Sequence, residues 1–150
     1  MSSELDKALE EIQRELWADY TETVIDHAQN PRNVGRIPNA DGSAIVTGPC
    51  GDTMDIWLKV KGNTIKEITF WTDGCGTSIA AGSMVTELAK GKSVIQASKI
   101  RQQAVLNALG GLPEDSVHCA LLAANTLNAA IKDYLAYKNE PWKRAYRKQE

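Results

Sequence analysis

Three cysteines are the residues of this chain best suited to metal or sulfur chemistry. Cys50 lies between Pro49 and Gly51 in GPCGDTMD, Cys75 lies between two glycines in DGCGT, and Cys119 follows a histidine in SVHCAL. The thiolate form of cysteine binds soft metals and attacks sulfur. The three are too far apart for a local zinc-finger motif, so only the fold could bring them together.

Two neighbouring side chains could act with the cysteines. If the chain is extended from Cys50 to Asp52, side chains two residues apart face the same side, so Asp52 can share whatever Cys50 holds. His118 and Cys119 are offset by about 100° around a helix, yet both can reach a site beyond its end. Flanking glycines let backbone N–H groups approach the sulfurs, and a helix N-terminus favours the thiolate.

Packing alone is the simpler interpretation of any single cysteine or histidine. His27, for example, lies on an apolar helical face and is expected to be a core histidine rather than a ligand. All three cysteines, however, fall where one predicted element gives way to the next, and His118 precedes one of them. Together they favour a soft-metal or sulfur site.

Composition and charge exclude several classes of protein. The chain has 150 residues, 43% of them hydrophobic and 24% charged, which suits one globular domain with a buried core. A net charge of −2 gives no broad attraction to nucleic acid or to an anionic membrane. The N-terminal segment has no long apolar run, so we expect no signal peptide, no membrane span and a cytoplasmic protein with reduced thiols. The odd number of cysteines argues against a disulfide framework.

The first half of the chain predicts two helices and a small sheet. Ser3 can cap an amphipathic helix whose apolar stripe is Leu5, Leu9, Ile12 and Leu16. A second helix through YTETVIDHAQ stops at Asn30 and Pro31. The runs SAIVTG, MDIWLKVK and TIKEITFWT predict strands, and the last two are joined by a GN turn. The turn is too short for a crossover, which predicts an antiparallel meander.

The second half of the chain is helical in pattern. SIAAGSMVTELAKG, SVIQASKI and QQAVLNALGG predict three helices, and a last long one starts near LPEDS. Its stripe of Val117, Leu121, Ala124, Ile131 and Leu135 is widened by further apolar residues, which predicts a central buried helix. The expected fold is α+β, with a three-stranded antiparallel sheet and helices on one face. We expect one domain over 1–150, with an N-terminal helical extension (about 1–18) and a basic C-terminal tail (about 138–150).

Four segments, in this order, resemble the iron–sulfur cluster assembly scaffolds of the IscU/NifU N-terminal family. They are YTETVIDHAQNPRNVG, GPCGDTMDIWLKV, TDGCGTSIAAGSMVTELAKGK and VHCALLAANTLNAAIKDYL. The similarity runs in register from about Tyr20 to Tyr137. It implies a SufE/NifU-like fold and a scaffold rather than an enzyme, on which a transient [2Fe–2S] cluster is assembled and then passed to apo-proteins.

The resemblance also implies roles for particular residues. The cluster ligands would be Cys50, Cys75 and Cys119, while Asp52 and His118 match positions that complete or exchange into the coordination sphere. Cys119 matches the acceptor of persulfide sulfur. The same thiolates bind zinc well, so Zn²⁺ is expected in the cluster-free or aerobically purified protein.

The partners implied by the resemblance are a cysteine desulfurase, an iron or electron donor (frataxin-like or a ferredoxin) and apo iron–sulfur proteins. LPEDS stands where many members carry an LPPVK-type segment, so a dedicated Hsp70 chaperone is not implied. The stripe of the first helix could pair two molecules as a homodimer. We expect a standalone scaffold, without the ferredoxin-like and C-terminal modules of full-length NifU.

Two alternatives compete with the scaffold interpretation. One is a zinc-bound persulfide acceptor of the SufU type, which looks similar but usually has an insertion before the last cysteine and no histidine beside it. The sequence VHC therefore favours the scaffold. The other is a structural zinc-binding interaction domain without sulfur chemistry.

Overall fold

A computed structural model of the chain describes residues 3–16, 18–140 and 142. These residues contain one sheet of three strands, with two helices before it and the others after it. The strands are β1 (Gly42–Thr47), β2 (Thr53–Lys61) and β3 (Thr64–Thr72), and the helices are α1 (Glu4–Leu16), α2 (Glu22–Gln29), α3 (Gly76–Ala89), α4 (Val94–Ser98), α5 (Gln102–Leu109) and α6 (Val117–Tyr137), with a 3₁₀ turn at Glu114–Ser116. None of these helices is long and apolar enough to cross a membrane.

The sheet is the predicted antiparallel meander. Its strand order is β1-β2-β3, and both pairs are antiparallel. Gly62 and Asn63 form the tight turn between β2 and β3 with positive φ angles of 59° and 64°. Such angles match the twist of a two-residue hairpin, which is why the GN pair marks the turn in the sequence.

One face of the sheet carries the core, as predicted. Buried side chains from β2 and β3 point to this face, where α3 and α6 cover them: Met54, Ile56, Leu58, Ile68 and Phe70. On the opposite face Ile45 and Trp71 are exposed. Helices α3 and α6 therefore form a layer against one side of the sheet, which confirms the predicted α+β architecture.

The last helix is buried along one side and starts slightly later than predicted. The 3₁₀ turn follows Pro113, and α6 proper begins at Val117. The predicted stripe is wrong at Leu121 and Leu135, which are exposed. The buried side of α6 instead runs through the apolar residues that widen the stripe: Leu122, Ala123, Leu127 and Ala130.

The first helix is capped as predicted but does not bury its stripe. The Ser3 hydroxyl accepts a hydrogen bond from the Asp6 backbone N–H, and the Asp6 carboxylate accepts one from the Ser3 N–H. Leu5, Leu9 and Ile12 are exposed. Pairing of two molecules through this stripe stays a prediction, as does the division of the chain into one domain with two extensions.

The basic tail falls mostly outside the residues that the structure describes. Its cations at 143, 144, 147 and 148 are among the positions left out.

His27 is a packed core residue, as expected from its helical face. It is buried, and its Nδ1 atom lies 2.7 Å from the Ser83 hydroxyl oxygen. Burial lowers the pKa of His27, with the nearby Arg32 acting in the same direction. The lowered pKa favours the neutral imidazole, and the contact with Ser83 links α2 to α3.

Gly82 sets the distance between α3 and the sheet, and this generates the first prediction. A Cβ atom at Gly82 would overlap the ring of Phe70, which is itself fully buried. Gly82→Ala should therefore lower the free energy of unfolding by about 1–3 kcal/mol through overpacking. Without the clash, alanine in a helix would be the more stable residue by about 0.5–1 kcal/mol.

Urea denaturation of both variants and the unmodified chain tests this. Ala104→Gly, at an exposed position of α5, is the control and should show the ordinary destabilisation by glycine. A Gly82→Ala protein that is more stable than the unmodified chain would refute the close approach.

Candidate metal centre

Hydrogen bonds between the ends of β2 and β3 fix the two loops that carry Cys50 and Cys75. The Thr53 N–H donates to the Asp73 carboxylate at 2.8 Å, and the Thr72 hydroxyl donates to the Thr53 carbonyl at 2.7 Å. Within the first loop the Gly48 N–H donates to the Asp52 carbonyl at 2.8 Å. These bonds fix both loops at the same end of the strands. The two cysteines are therefore held at one end of the sheet.

Cys50, Asp52 and His118 form one group of metal-binding side chains. The Cys50 sulfur, an Asp52 carboxylate oxygen and a His118 ring nitrogen all lie within 4.8 Å of one another. Cys50 is exposed, and the other two are partly buried. Gly51 has a φ of 91° and open space beside it, which agrees with its predicted role of leaving room near the sulfur.

Cys75 and Cys119 form a second group through a shared hydroxyl. The Thr77 Oγ1 atom lies 3.1 Å from the Cys75 sulfur and 3.4 Å from the Cys119 sulfur. The Cys119 sulfur is also 3.7 Å from Nε2 of His118, which connects this group to the first. The structure therefore brings all five predicted site residues to one place, where β1–β2, β3–α3 and α6 meet.

Thr77 and Ser78, both buried, belong to the site but were missed by sequence reasoning. The Ser78 hydroxyl donates to the Asp52 carboxylate at 2.8 Å and lies 3.5 Å from the Cys119 sulfur. The sequence does contain a signal for them, because both residues follow Cys75 in the first turn of α3. Side chains in that turn share the end of the helix with the residue that caps it.

The two thiols of the second group have opposite pKa shifts. Burial raises the pKa of Cys75, but the Thr77 hydroxyl and the backbone N–H groups of Thr77 and Ser78 outweigh it, so its pKa lies below the ordinary value. Cys119 is more deeply buried, and burial keeps its pKa above the ordinary value. The Asp52 carboxylate raises the pKa of both. Cys75 is thus the readier thiolate, and Cys119 the better-protected thiol.

The donor set suits iron–sulfur chemistry or zinc. Thiolate and imidazole groups select these metals over magnesium or calcium, which prefer oxygen ligands. The fourth and fifth groups are a histidine and a carboxylate rather than further cysteines, so this is not the all-thiolate set of an electron-transfer ferredoxin.

The family model of the NifU-like N-terminal domain matches residues 19–141 of the chain, which includes every residue of this site. The chain belongs to this family. The resemblance found from the sequence motifs is therefore confirmed, and the protein is an iron–sulfur cluster assembly scaffold of the IscU/NifU type.

Curated relatives carry the same function in their names. The chain is 54% identical over 116 residues to the iron–sulfur cluster assembly scaffold protein IscU 1 of Archaeoglobus fulgidus, covering 77% of this chain and 76% of that protein. It is 44% identical over 122 residues to the IscU scaffold of Haemophilus influenzae, covering 78% and 96% of the two chains.

Solved structures confirm the fold class. The N-terminal NifU-like protein of Brucella abortus superposes with a TM-score of 0.62 at 17% identity, covering 81% of this chain and 97% of that one. An iron–sulfur cluster assembly scaffold for the SUF system from Fervidobacterium islandicum gives the same TM-score at 23% identity, covering 77% and 98%. At these identities the likeness supports the shared fold and nothing finer.

The opposite pKa shifts generate a prediction about thiol reactivity. Thr77→Val keeps the side-chain shape but removes the hydroxyl that favours the Cys75 thiolate. Alkylation of Cys75 by iodoacetamide at neutral pH should become severalfold slower, because the thiolate is the reacting form.

Mass spectrometry of the cluster-free, metal-free protein can follow each cysteine separately. The Thr77 hydroxyl contacts the sulfurs of Cys75 and Cys119, so the alkylation rate of Cys50 is the internal control. An unchanged Cys75 rate in Thr77→Val would contradict the assigned role of the hydroxyl.

Proposed function

We propose that the cargo of this scaffold is a transient [2Fe–2S] cluster held by Cys50, Cys75 and Cys119. Asp52 or His118 would complete the coordination. The observation that carries this proposal is the convergence of the five side chains at one end of the fold, with Thr77 spanning two of the sulfurs. Three thiolates supply three of the four ligands that a [2Fe–2S] cluster requires.

The ligand that is not a cysteine, Asp52 or His118, would account for release of the cluster. A carboxylate or an imidazole binds these irons less firmly than a thiolate, and a protonated or displaced ligand opens a position for an incoming thiolate. Asp52 is the proposed exchanging group, because its partner Ser78 can hold it while it is off the metal. The cluster can then leave through exchange of ligands one at a time.

Cys119 is the proposed acceptor of sulfur from a cysteine desulfurase. Its thiolate would attack the terminal sulfur of the donor's persulfide, forming a new S–S bond at Cys119 and releasing the donor cysteine as a thiolate. Burial keeps the pKa of Cys119 high, so its proton has to leave first. The ring of His118, with Nε2 3.7 Å from the sulfur, is near enough to take that proton.

Other proposed partners follow from what the reaction needs. Iron and electrons have to come from a donor such as a frataxin-like protein or a ferredoxin, and apo iron–sulfur proteins receive the product. The chain itself binds and passes on the cluster, so it acts as a carrier and not as a turnover catalyst.

A zinc-bound persulfide acceptor is the second candidate. It is favoured by the mutual spacing of Cys50, Asp52 and His118, whose ligand atoms within 4.8 Å of one another suit a single ion. Anaerobic purification followed by metal, acid-labile sulfide and absorption analysis separates the two. Iron and sulfide in equal amounts support the scaffold, whereas zinc that iron and sulfide do not replace supports the second candidate.

Asp52→Ala should slow the release of the cluster. Without the exchanging carboxylate, transfer to an apo-ferredoxin should fall severalfold while the cluster remains bound. The transfer is followed by visible circular dichroism, and Glu67→Ala, an exposed acid near the start of β3, is the control. Release from Asp52→Ala at the unmodified rate or faster would remove Asp52 from the proposed exchange.

Cys119→Ser should abolish desulfurase-dependent cluster formation. Incubation of the unmodified protein with a desulfurase and cysteine should add the mass of one sulfur to the peptide that contains Cys119. The serine variant should gain no such mass at Cys50 or Cys75. Persulfide on either of those residues in the variant, with undiminished cluster formation, would reject Cys119 as the acceptor.

A further inference from the structure

Ser78 occupies a central position in the site without being one of the proposed ligands. It is the third residue of α3 and is fully buried. Its hydroxyl donates to Oδ2 of Asp52 at 2.8 Å and lies 3.5 Å from the sulfur of Cys119. It is therefore in contact with a proposed ligand from the β1–β2 loop and with another from α6.

The hydrogen bond determines which oxygen of Asp52 is available. A serine hydroxyl has a single proton to donate. With that proton on Oδ2, the carboxylate has one oxygen engaged with the protein and Oδ1 left for a metal. When Cys119 is a protonated thiol, its S–H can donate to the same hydroxyl, so Ser78 can contact both residues at once.

The backbone of Gly74 lies next to the Ser78 and Asp52 side chains. A Cβ atom at this position would lie 2.5 Å from Oγ of Ser78 and 2.8 Å from Oδ2 of Asp52. Only glycine therefore leaves room for the hydrogen bond in its present place.

Helix capping does not account for the Ser78 hydroxyl. A serine at the third position of a helix commonly serves the helix end, but here its proton goes to a loop residue 26 positions away in sequence. The helix is capped by Cys75, which has no side-chain capping hydrogen bond. The hydroxyl is thus directed at the site and away from the helix backbone.

We propose that Ser78 is a positioning residue that holds Asp52 as a one-oxygen ligand to the metal. The inference rests on the proposed function, because it assumes that Asp52 can bind the cargo metal. Carboxylates that bind metals are usually themselves hydrogen-bonded, and loss of such a partner typically costs about 10–100-fold in metal affinity.

Cobalt binding to the metal-free full chain tests the proposal without any cluster transfer. In Ser78→Ala, the affinity for Co²⁺ measured by chelator competition should fall by about 10–100-fold. The d–d absorption should weaken as well, since a carboxylate freed to bind through both oxygens raises the coordination number above four. Ser98→Ala removes a serine hydroxyl that donates only to the Ile95 carbonyl in α4, and it should change neither quantity.

A double-mutant comparison distinguishes positioning from a general structural effect. If Ser78 acts through Asp52, removing Ser78 in an Asp52→Ala background should cause no further loss of Co²⁺ affinity. Equal losses in the two backgrounds would overturn the proposal, because the serine would then act on Cys119 or on the fold.

The cobalt-binding results test the role of Ser78 separately from the proposed function. If the unmodified chain binds Co²⁺ without thiolate-to-cobalt charge-transfer bands, the cysteine site itself is wrong and the inference falls with it. If those bands are present and Ser78→Ala matches the unmodified protein in affinity and spectrum, only the role of Ser78 is refuted.

Discussion

The first turn of α3 is the constraint on which the site depends. Two consecutive hydroxyls in that turn, from Thr77 and Ser78, contact Cys75, Cys119 and Asp52, which come from three separate parts of the chain. The turn can do so only because α3 is fixed close to the sheet, where Gly82 meets the ring of Phe70. Side chains far from the sulfurs therefore determine the geometry around them, since a shift of α3 would change the contacts that both hydroxyls make with Asp52 and Cys119.

The three cysteines of the site differ in their exposure to solvent. Cys50 and Cys75 are accessible, and the hydroxyl and amide groups around Cys75 favour its thiolate. Cys119 is buried, and burial raises the pKa of its thiol. A protein that receives sulfur and also presents a finished cluster needs both conditions: a protected thiol that reacts only with the correct donor, and open ligands that an acceptor can approach.

Much of the fold could be predicted from the sequence because its signals are local. The alternation through β2 and β3, the GN turn and the Ser3 cap each depend on nearby residues, and all were found. The buried side of α6 was misjudged at Leu121 and Leu135, since an almost wholly apolar helix gives no periodic signal for its inner face. The five candidate ligands were named, with help from the family motifs. Thr77 and Ser78 were not, because their role depends on a loop and a helix that are distant in sequence.

Release of the cargo also restricts where the stability of the domain can come from. A ligand that binds the folded state stabilises it in proportion to the logarithm of its concentration relative to the dissociation constant. A scaffold has to give up its cluster, so it cannot rely on that free energy to stay folded. Most of the core lies away from the ligands, between the apolar face of the sheet and the helices α3 and α6, with Phe70, Leu58 and Leu127 among its fully buried members. Of the five proposed ligands only Cys119 belongs to this core, so it is the one ligand that couples the state of the site to the packing of the domain.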